Sequence, residues 1–207
     1  MKVAVVDYGM GNIGSVRRAL LMLGADVYVA DQPDDLDHAD RLVVPGVGSF
    51  ADGITHLKER RLYTEICKQV IERKKPYLGI CLGMQLLAAR GTEGGEVAGF
   101  GLIDGEVARL DQLGCTERIP HVGWNSIFIE GASPLLNGVP DETDFYFVHS
   151  YAFQPREPQS VMAVTKYGIT FPAVIGQEYI FGVQFHPEKS SRAGMRILKN
   201  FIELDIC

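Results

Sequence analysis

Two kinds of apolar spacing alternate through the first half of the chain. Val3–Val6 is an unbroken apolar run, as expected of a strand buried on both faces, and the strand reads from Lys2 to Asp7. Ile13–Leu23 shows helical periodicity and stops at Gly24, a residue suited to a helix C-cap. Asp26–Ala30 and Arg41–Val44 read as the next strands, the second closed by Pro45-Gly46-Val47-Gly48. Helical stretches follow over Phe50–Glu59 and Leu62–Arg73, then a strand over Pro76–Ile80 and a helix over Leu82–Ala89. This alternation predicts a three-layer α/β fold with a mostly parallel central sheet and helices on both faces.

The second half changes character. Asp104–Leu110, Trp124–Glu130, Phe145–Val148, Val161–Thr165, Ala173–Ile175 and Ile180–Phe185 read as strands, and only Arg192–Glu203 as a clear helix. Added strands, some antiparallel, should extend or flank the central sheet. Gly91–Gly105 is glycine-rich and reads as a loop. With no linker, repeat or low-complexity tract, the 207 residues are expected to form one domain, 1–207.

Composition narrows the function. A net charge of −6 and the lack of a basic run argue against broad nucleic-acid binding. The longest apolar runs, such as Tyr77–Leu82, are too short to cross a bilayer. MKVAVVDYG lacks the apolar stretch and cleavage site of a signal peptide, so a cytoplasmic location is expected. Cys67, Cys81, Cys115 and Cys207 form no CxxC pair and read as free thiols. No metal site and no cofactor are expected.

Four motifs carry candidate chemistry. Gly9-Met10-Gly11-Asn12-Ile13-Gly14 is a literal GxGxxG between a strand and a helix, with Asp31 17 residues after Gly14. Asp7 and Tyr8, however, separate the strand from the first glycine and lengthen the turn that a pyrophosphate needs tight. The alternative is a glycine loop that only turns the chain. Gly79-Ile80-Cys81-Leu82-Gly83 has the G-x-C-x-G form of a nucleophile elbow, set between strand and helix. Small flanking residues let neighbouring backbone approach, the thiol would meet a helix N-terminus, and the Leu82 N–H would face a developing oxyanion. The competing reading is a buried structural cysteine. In Phe185-His186-Pro187-Glu188, extended chain would set His186 and Glu188 side by side, as base and orienting carboxylate for Cys81. Pro45–Gly48 ends a strand on the same sheet edge and is either a plain turn or a source of backbone N–H groups for an oxyanion. His38 and His56 read as ordinary surface residues, while His121 and His149 stay open.

GICLGMQLL, FHPEKS and PGVG together resemble the class I, triad-type glutamine amidotransferases, over nearly the whole chain. DYGMGNIGSV, PHVGWN, FVHSY and GVQFHPEKSS narrow the resemblance to the branch that supplies ammonia for imidazole glycerol phosphate synthesis in histidine biosynthesis. The resemblance implies that Cys81 attacks glutamine, that His186, held by Glu188, moves the proton, and that a glutamyl thioester forms and is hydrolysed. It implies an oxyanion hole from the N–H groups of Leu82 and Val47 in the Val47-Gly48 turn, which must reorient before it donates. It assigns L-glutamine binding to Gln85, Glu93, Ser150 and Tyr151. It places Asn12, Trp124, Tyr146 and Lys189 against a separate (β/α)8 cyclase subunit in a heterodimer, the cyclase converting PRFAR to imidazole glycerol phosphate and AICAR. It also assigns the GMGN loop to that interface and not to a nucleotide.

Three rival readings remain. A paralogous glutaminase subunit serving surface-sugar amidation would carry nearly identical motifs, because this half never touches the final acceptor. A stand-alone thiol hydrolase would lack the paired PGVG and HPEKS signatures. Intact Cys81, His186 and Glu188 speak against a non-catalytic regulatory subunit.

Overall fold

The computed structural model describes residues 1–205; Cys207, read above as a free thiol, lies outside them. The first half runs β1 (Lys2–Val6), α1 (Ile13–Met22), β2 (Asp26–Ala30), β3 (Arg41–Gly46), α2 (Phe50–Glu59), α3 (Leu62–Ile71), β4 (Tyr77–Cys81) and α4 (Leu82–Gln85). The second runs β5 (Arg90–Gly91), β6 (Val97–Ala98), β7 (Gly105–Arg109), β8 (His121–Ile129), β9 (Asp144–His149), β10 (Tyr151–Pro155), β11 (Val161–Tyr167), β12 (Ile169–Gln177), β13 (Ile180–Val183) and α5 (Ser191–Ile202).

A nine-stranded sheet has the order β2-β1-β3-β4-β13-β12-β11-β8-β9. From β2 to β13 every pairing is parallel; from β13 to β9 every pairing is antiparallel. A second sheet, β10-β7-β5-β6, stands beside it.

The continuous apolar runs of the central strands are explained by helices on both faces. Val3 and Val5 join α1 and α5 in one core, while Ala4 and Val6 face the core that contains α2 and α3. The period-two alternation therefore selects between two buried faces rather than between core and solvent. Helix α5 buries Gly194, Ile197, Leu198, Phe201 and Ile202, the i, i+3, i+4, i+7, i+8 stripe of an amphipathic helix.

Three expectations change. The helix expected over Leu82–Ala89 ends after Gln85. The carbonyls of Leu86, Leu87 and Ala88 accept from Phe100, Leu102 and Gly101, and Ala89 N–H donates to Gly105, so the chain is drawn into the second sheet. The stretch read as a loop, Gly91–Gly105, contributes β5 and β6 to that sheet. Strand β10 is an addition to the expected elements; it leaves β9 at Ser150 and pairs antiparallel with β7. Among the described residues no helix is long and apolar enough to cross a membrane.

Candidate active site

Cys81 ends β4 with φ 54° and ψ −108°, a backbone conformation that side-chain-bearing residues rarely hold. Its glycines explain how it is held. A Cβ on Gly79 would lie 2.3 Å from the Gly83 carbonyl oxygen, and one on Gly83 only 1.7 Å from that of Val44. The turn is thus clamped between its own strand and β3. Helix α4 is a single turn, so the dipole expected to favour thiolate is reduced to a few local N–H groups. The Cys81 thiol approaches the Val148 carbonyl at 3.8 Å and receives the Gln184 amide at 3.7 Å.

Strand β13 lies beside β4 in parallel, with Val183 opposite Ile80, so His186 follows onto the sheet edge where Cys81 stands. Its backbone N–H donates to the Tyr146 carbonyl. Its Nδ1 meets Glu188 Oε1 at 2.9 Å, both side chains being buried. The pairing is as expected, but Glu188 reaches it from a one-turn 3-10 helix, Pro187–Lys189, and not from extended chain. Helix α5 braces this turn: a Cβ on Gly194 would lie 1.9 Å from the Pro187 carbonyl oxygen. Burial pulls the His186 pKa down, but the Cys81 thiol and then the Glu188 carboxylate outweigh it and raise it to about 9. Among the described residues His186 Nε2 has no hydrogen-bond partner, so the Cys81 sulfur acts on it as a close neighbour.

A cavity of about 250 Å³ opens over the sulfur. Val47, Gly48, Leu82, Gln85, Glu93, Ser150 and Tyr151 line it with Cys81, as do Pro120, Val148 and His149, which were not assigned from the sequence. Gln85 donates to the carbonyl of Tyr151 at 2.9 Å and to Gln184 Oε1 at 3.1 Å. Glu93 accepts from the Phe50 N–H at 2.7 Å, so its carboxylate caps the start of α2 at the cavity wall. The Ser150 carbonyl is taken by Leu110 N–H.

The turn Pro45–Gly48 faces this cavity with Gly46 paired to Cys81. Its Val47 N–H points elsewhere and donates to the Met10 carbonyl at 3.3 Å. The GMGN loop is therefore packed on the turn, and a Cβ on Gly48 would meet Met10 Cε at 2.5 Å. Beneath Gly46 lies the Tyr8 hydroxyl, fully buried and without a partner among the described residues.

Of the interface candidates, Trp124, Tyr146 and Lys189 form one patch. Trp124 is 54% exposed, its ring lies edge-on 6.1 Å from Tyr146, and Lys189 Nζ sits 5.8 Å from the Tyr146 ring. Asn12 precedes the first residue of α1. The two histidines left open form a buried pair: His121 Nδ1 meets His149 Nε2 at 2.9 Å, and His149 Nδ1 donates to the Tyr151 carbonyl. Burial lowers their pKa values to about 4 and about 3. Gln184 also escaped the sequence reading, although it stands two residues before His186 and shares its side of an extended chain. Among the described residues no cluster of three or more His, Cys, Asp or Glu could hold a metal ion.

The family model "Glutamine amidotransferase class-I" matches residues 4–204. "Imidazole glycerol phosphate synthase subunit HisH" of Moorella thermoacetica is 48% identical over 98% of this chain and 94% of its own length. "Subunit HisH 1" of Campylobacter jejuni is 44% identical over 98% of this chain and 100% of its own. "Subunit HisH 2" of Pseudomonas aeruginosa is 40% identical over 98% of this chain and 99% of its own. The fold is shared with the structure of PurLQS from Thermotoga maritima, at 19% identity, TM-score 0.78 and 97% coverage of both chains. It is shared as well with a crystal structure of a glutamine amidotransferase, at 22% identity, TM-score 0.76 and 97% coverage of both chains. A match along nearly its whole length establishes that the chain belongs to the class I glutamine amidotransferase family.

Proposed function

We propose that this protein is the glutaminase subunit of an imidazole glycerol phosphate synthase. The observation that carries the reading is that Cys81 lines a cavity sized for an amino acid, while the His186–Glu188 pair follows the adjacent parallel strand onto the same sheet edge. The thiolate of Cys81 attacks the side-chain amide carbon of L-glutamine. The carbonyl π electrons move to oxygen, and the imidazolium of His186 protonates the leaving nitrogen. The C–N bond breaks, ammonia departs and a glutamyl thioester remains. Water then attacks, giving a proton to His186; glutamate leaves and the sulfur returns to its starting state. Gln85, Glu93, Ser150 and Tyr151 hold the amino-acid end. The N–H groups of Leu82 and Val47 receive the oxyanion.

Val47 must turn away from Met10 before it can donate. We infer that docking of a separate (β/α)8 cyclase subunit drives that turn. Val47 is 43% exposed, and Val122 and Trp124 are each 54% exposed, an apolar surface suited to a partner. Relatives named as synthase subunits support this assembly. Ammonia released to water at neutral pH is mostly protonated and lost as a nucleophile, so direct transfer to the cyclase is required. There it converts PRFAR to imidazole glycerol phosphate and AICAR. The whole chain acts as one glutaminase domain, and its unpaired thiols Cys67, Cys81 and Cys115 fit a reducing cytoplasm.

The test is glutamate release from glutamine, with and without a histidine-pathway cyclase and PRFAR. The isolated chain is expected to be nearly silent, the complex active, and Cys81→Ala inactive in both. Glutamate release by Cys81→Ala at the wild-type rate rejects the assignment. Full turnover by the isolated chain rejects the coupling.

A further inference from the structure

Gln184 is fully buried, lies behind the sulfur and does not line the cavity. Its orientation follows from its neighbours. The Tyr151 carbonyl can only accept, so the Gln85 group that touches it at 2.9 Å must be the amide nitrogen. That same nitrogen carries a second proton and lies 3.1 Å from Gln184, so Gln184 must present its oxygen there. The other end of the Gln184 carboxamide, its NH2, is then the group 3.7 Å from Cys81 Sγ. One backbone carbonyl thus sets the polarity of the whole run, from Tyr151 through Gln85 and Gln184 to the sulfur.

The sulfur lies between this donor and an acceptor, the Val148 carbonyl at 3.8 Å. As a thiol, Cys81 donates to Val148. As a thiolate it loses the donation to Val148 and keeps the Gln184 hydrogen bond, which is then charge-assisted. We propose that Gln184 is a further catalytic residue of the glutaminase site, holding the Cys81 sulfur as a thiolate through an N–H whose direction Gln85 dictates. The inference rests on the reading of Cys81 as the nucleophile. It gives Gln85 a second task beside substrate binding, since losing Gln85 frees the Gln184 amide to rotate and turn its oxygen on the sulfur.

The experiment uses iodoacetamide, which forms an S–C bond with the thiolate and releases iodide. It needs neither glutamine nor a partner. Alkylation is followed on the Cys81 peptide by mass spectrometry from pH 5 to 10, for the full chain and for Gln184→Glu and Gln184→Met. The titratable groups facing the sulfur or its cavity are His186 with Glu188, Tyr8 just after β1, and Glu93, His149 and Tyr151 on the cavity wall; all are unchanged by these variants. Gln184→Met removes the donor and should raise the alkylation midpoint by about one pH unit, slowing alkylation roughly tenfold at pH 6–7. Gln184→Glu sets an acceptor against the sulfur and should raise it further. Gln85→Leu should raise it as well, by releasing the amide, and it reads the same chain of bonds should both Gln184 variants fail to fold. Folded variants whose midpoints match wild type overturn the proposal, whatever their activity on glutamine. Shifted midpoints in a protein that never hydrolyses glutamine keep the Gln184 hold on the sulfur but reject its catalytic role together with the glutaminase reading.

Discussion

Strands β3 and β4 are parallel neighbours whose ends face each other, Gly46 opposite Cys81, yet the two ends are held very differently. The β4 end is crowded: Gly79 and Gly83 leave no room even for a methyl group, and Cys81 is only 6% exposed. The β3 end is open: Val47 is 43% exposed, Gly48 sits at φ 111°, and the Val47 N–H is held by a hydrogen bond to the Met10 carbonyl. A neutral hydrogen bond contributes about 1 kcal/mol, whereas rebuilding a packed backbone contact costs several times more. The proposed nucleophile is therefore set by folding, while the proposed oxyanion donor sits on the part that one rearrangement can redirect. In the proposed mechanism, control over turnover belongs on the β3 side.

Breaking the rigid side should give the largest effect. Gly83→Ala drives a methyl group into the Val44 carbonyl and is expected to cost more than about 4 kcal/mol, seen as loss of soluble, cooperatively melting protein. Gly14→Ala in α1, with open space around it, is the control and should stabilise by about 1 kcal/mol. A Gly83→Ala protein that melts like wild type removes the clamp from the account.

On the pliable side, Val47→Pro deletes the N–H that meets Met10 in the observed turn and that is proposed to meet the oxyanion after reorientation. Glutamate release by the cyclase complex should fall about 10²- to 10³-fold with the KM for glutamine nearly unchanged. The melting temperature should move little. A wild-type rate would assign the oxyanion to other donors.

A smaller effect reads the proton on His186. Its pKa, raised to about 9 from an ordinary 6.5 by Cys81 and Glu188 against the pull of burial, means that the folded chain binds this proton more tightly than the unfolded one. The resulting stabilisation is complete below pH 6.5 and is lost as pH rises to about 9. Glu188→Gln should flatten that decline in urea-unfolding midpoints measured across the same window. An undiminished decline would show that the carboxylate does not hold the proton. His121 and His149 act in the opposite direction: buried neutral, they cost stability as pH falls below 6.5, down to about 4 and about 3.

The smallest effect lies beneath the pliable turn. Tyr8→Phe removes a buried hydroxyl that has no partner among the described residues, and should raise the melting temperature by about 2–4 °C. A lower melting temperature would mean that the hydroxyl is bonded in solution.

Much of the fold was legible because the relevant forces are local. The apolar runs of β1 and β4 and the stripe of α5 repeat at the spacing of their own elements. The elbow was legible as well, since small residues on both sides of Cys81 are a steric requirement written in adjacent positions. The end of α4 after Gln85 was not, because the carbonyls of Leu86, Leu87 and Ala88 just beyond it are claimed by residues 100–102, brought in by the second sheet. Strand β10 is hidden for a similar reason: its partner β7 is remote in sequence, and even the nearest pair joins Tyr151 to Arg109.

By itself the sequence determined which residues could do chemistry: the thiol between two glycines, the imidazole two positions from a carboxylate, and the glycine turn after β3. Only the tertiary structure decided where donors and acceptors point. It turned Val47 N–H toward Met10, brought Glu93 to the start of α2 and set Gln184 behind the sulfur. Hydrogen-bond direction depends on partners far away along the chain, and no local spacing encodes it.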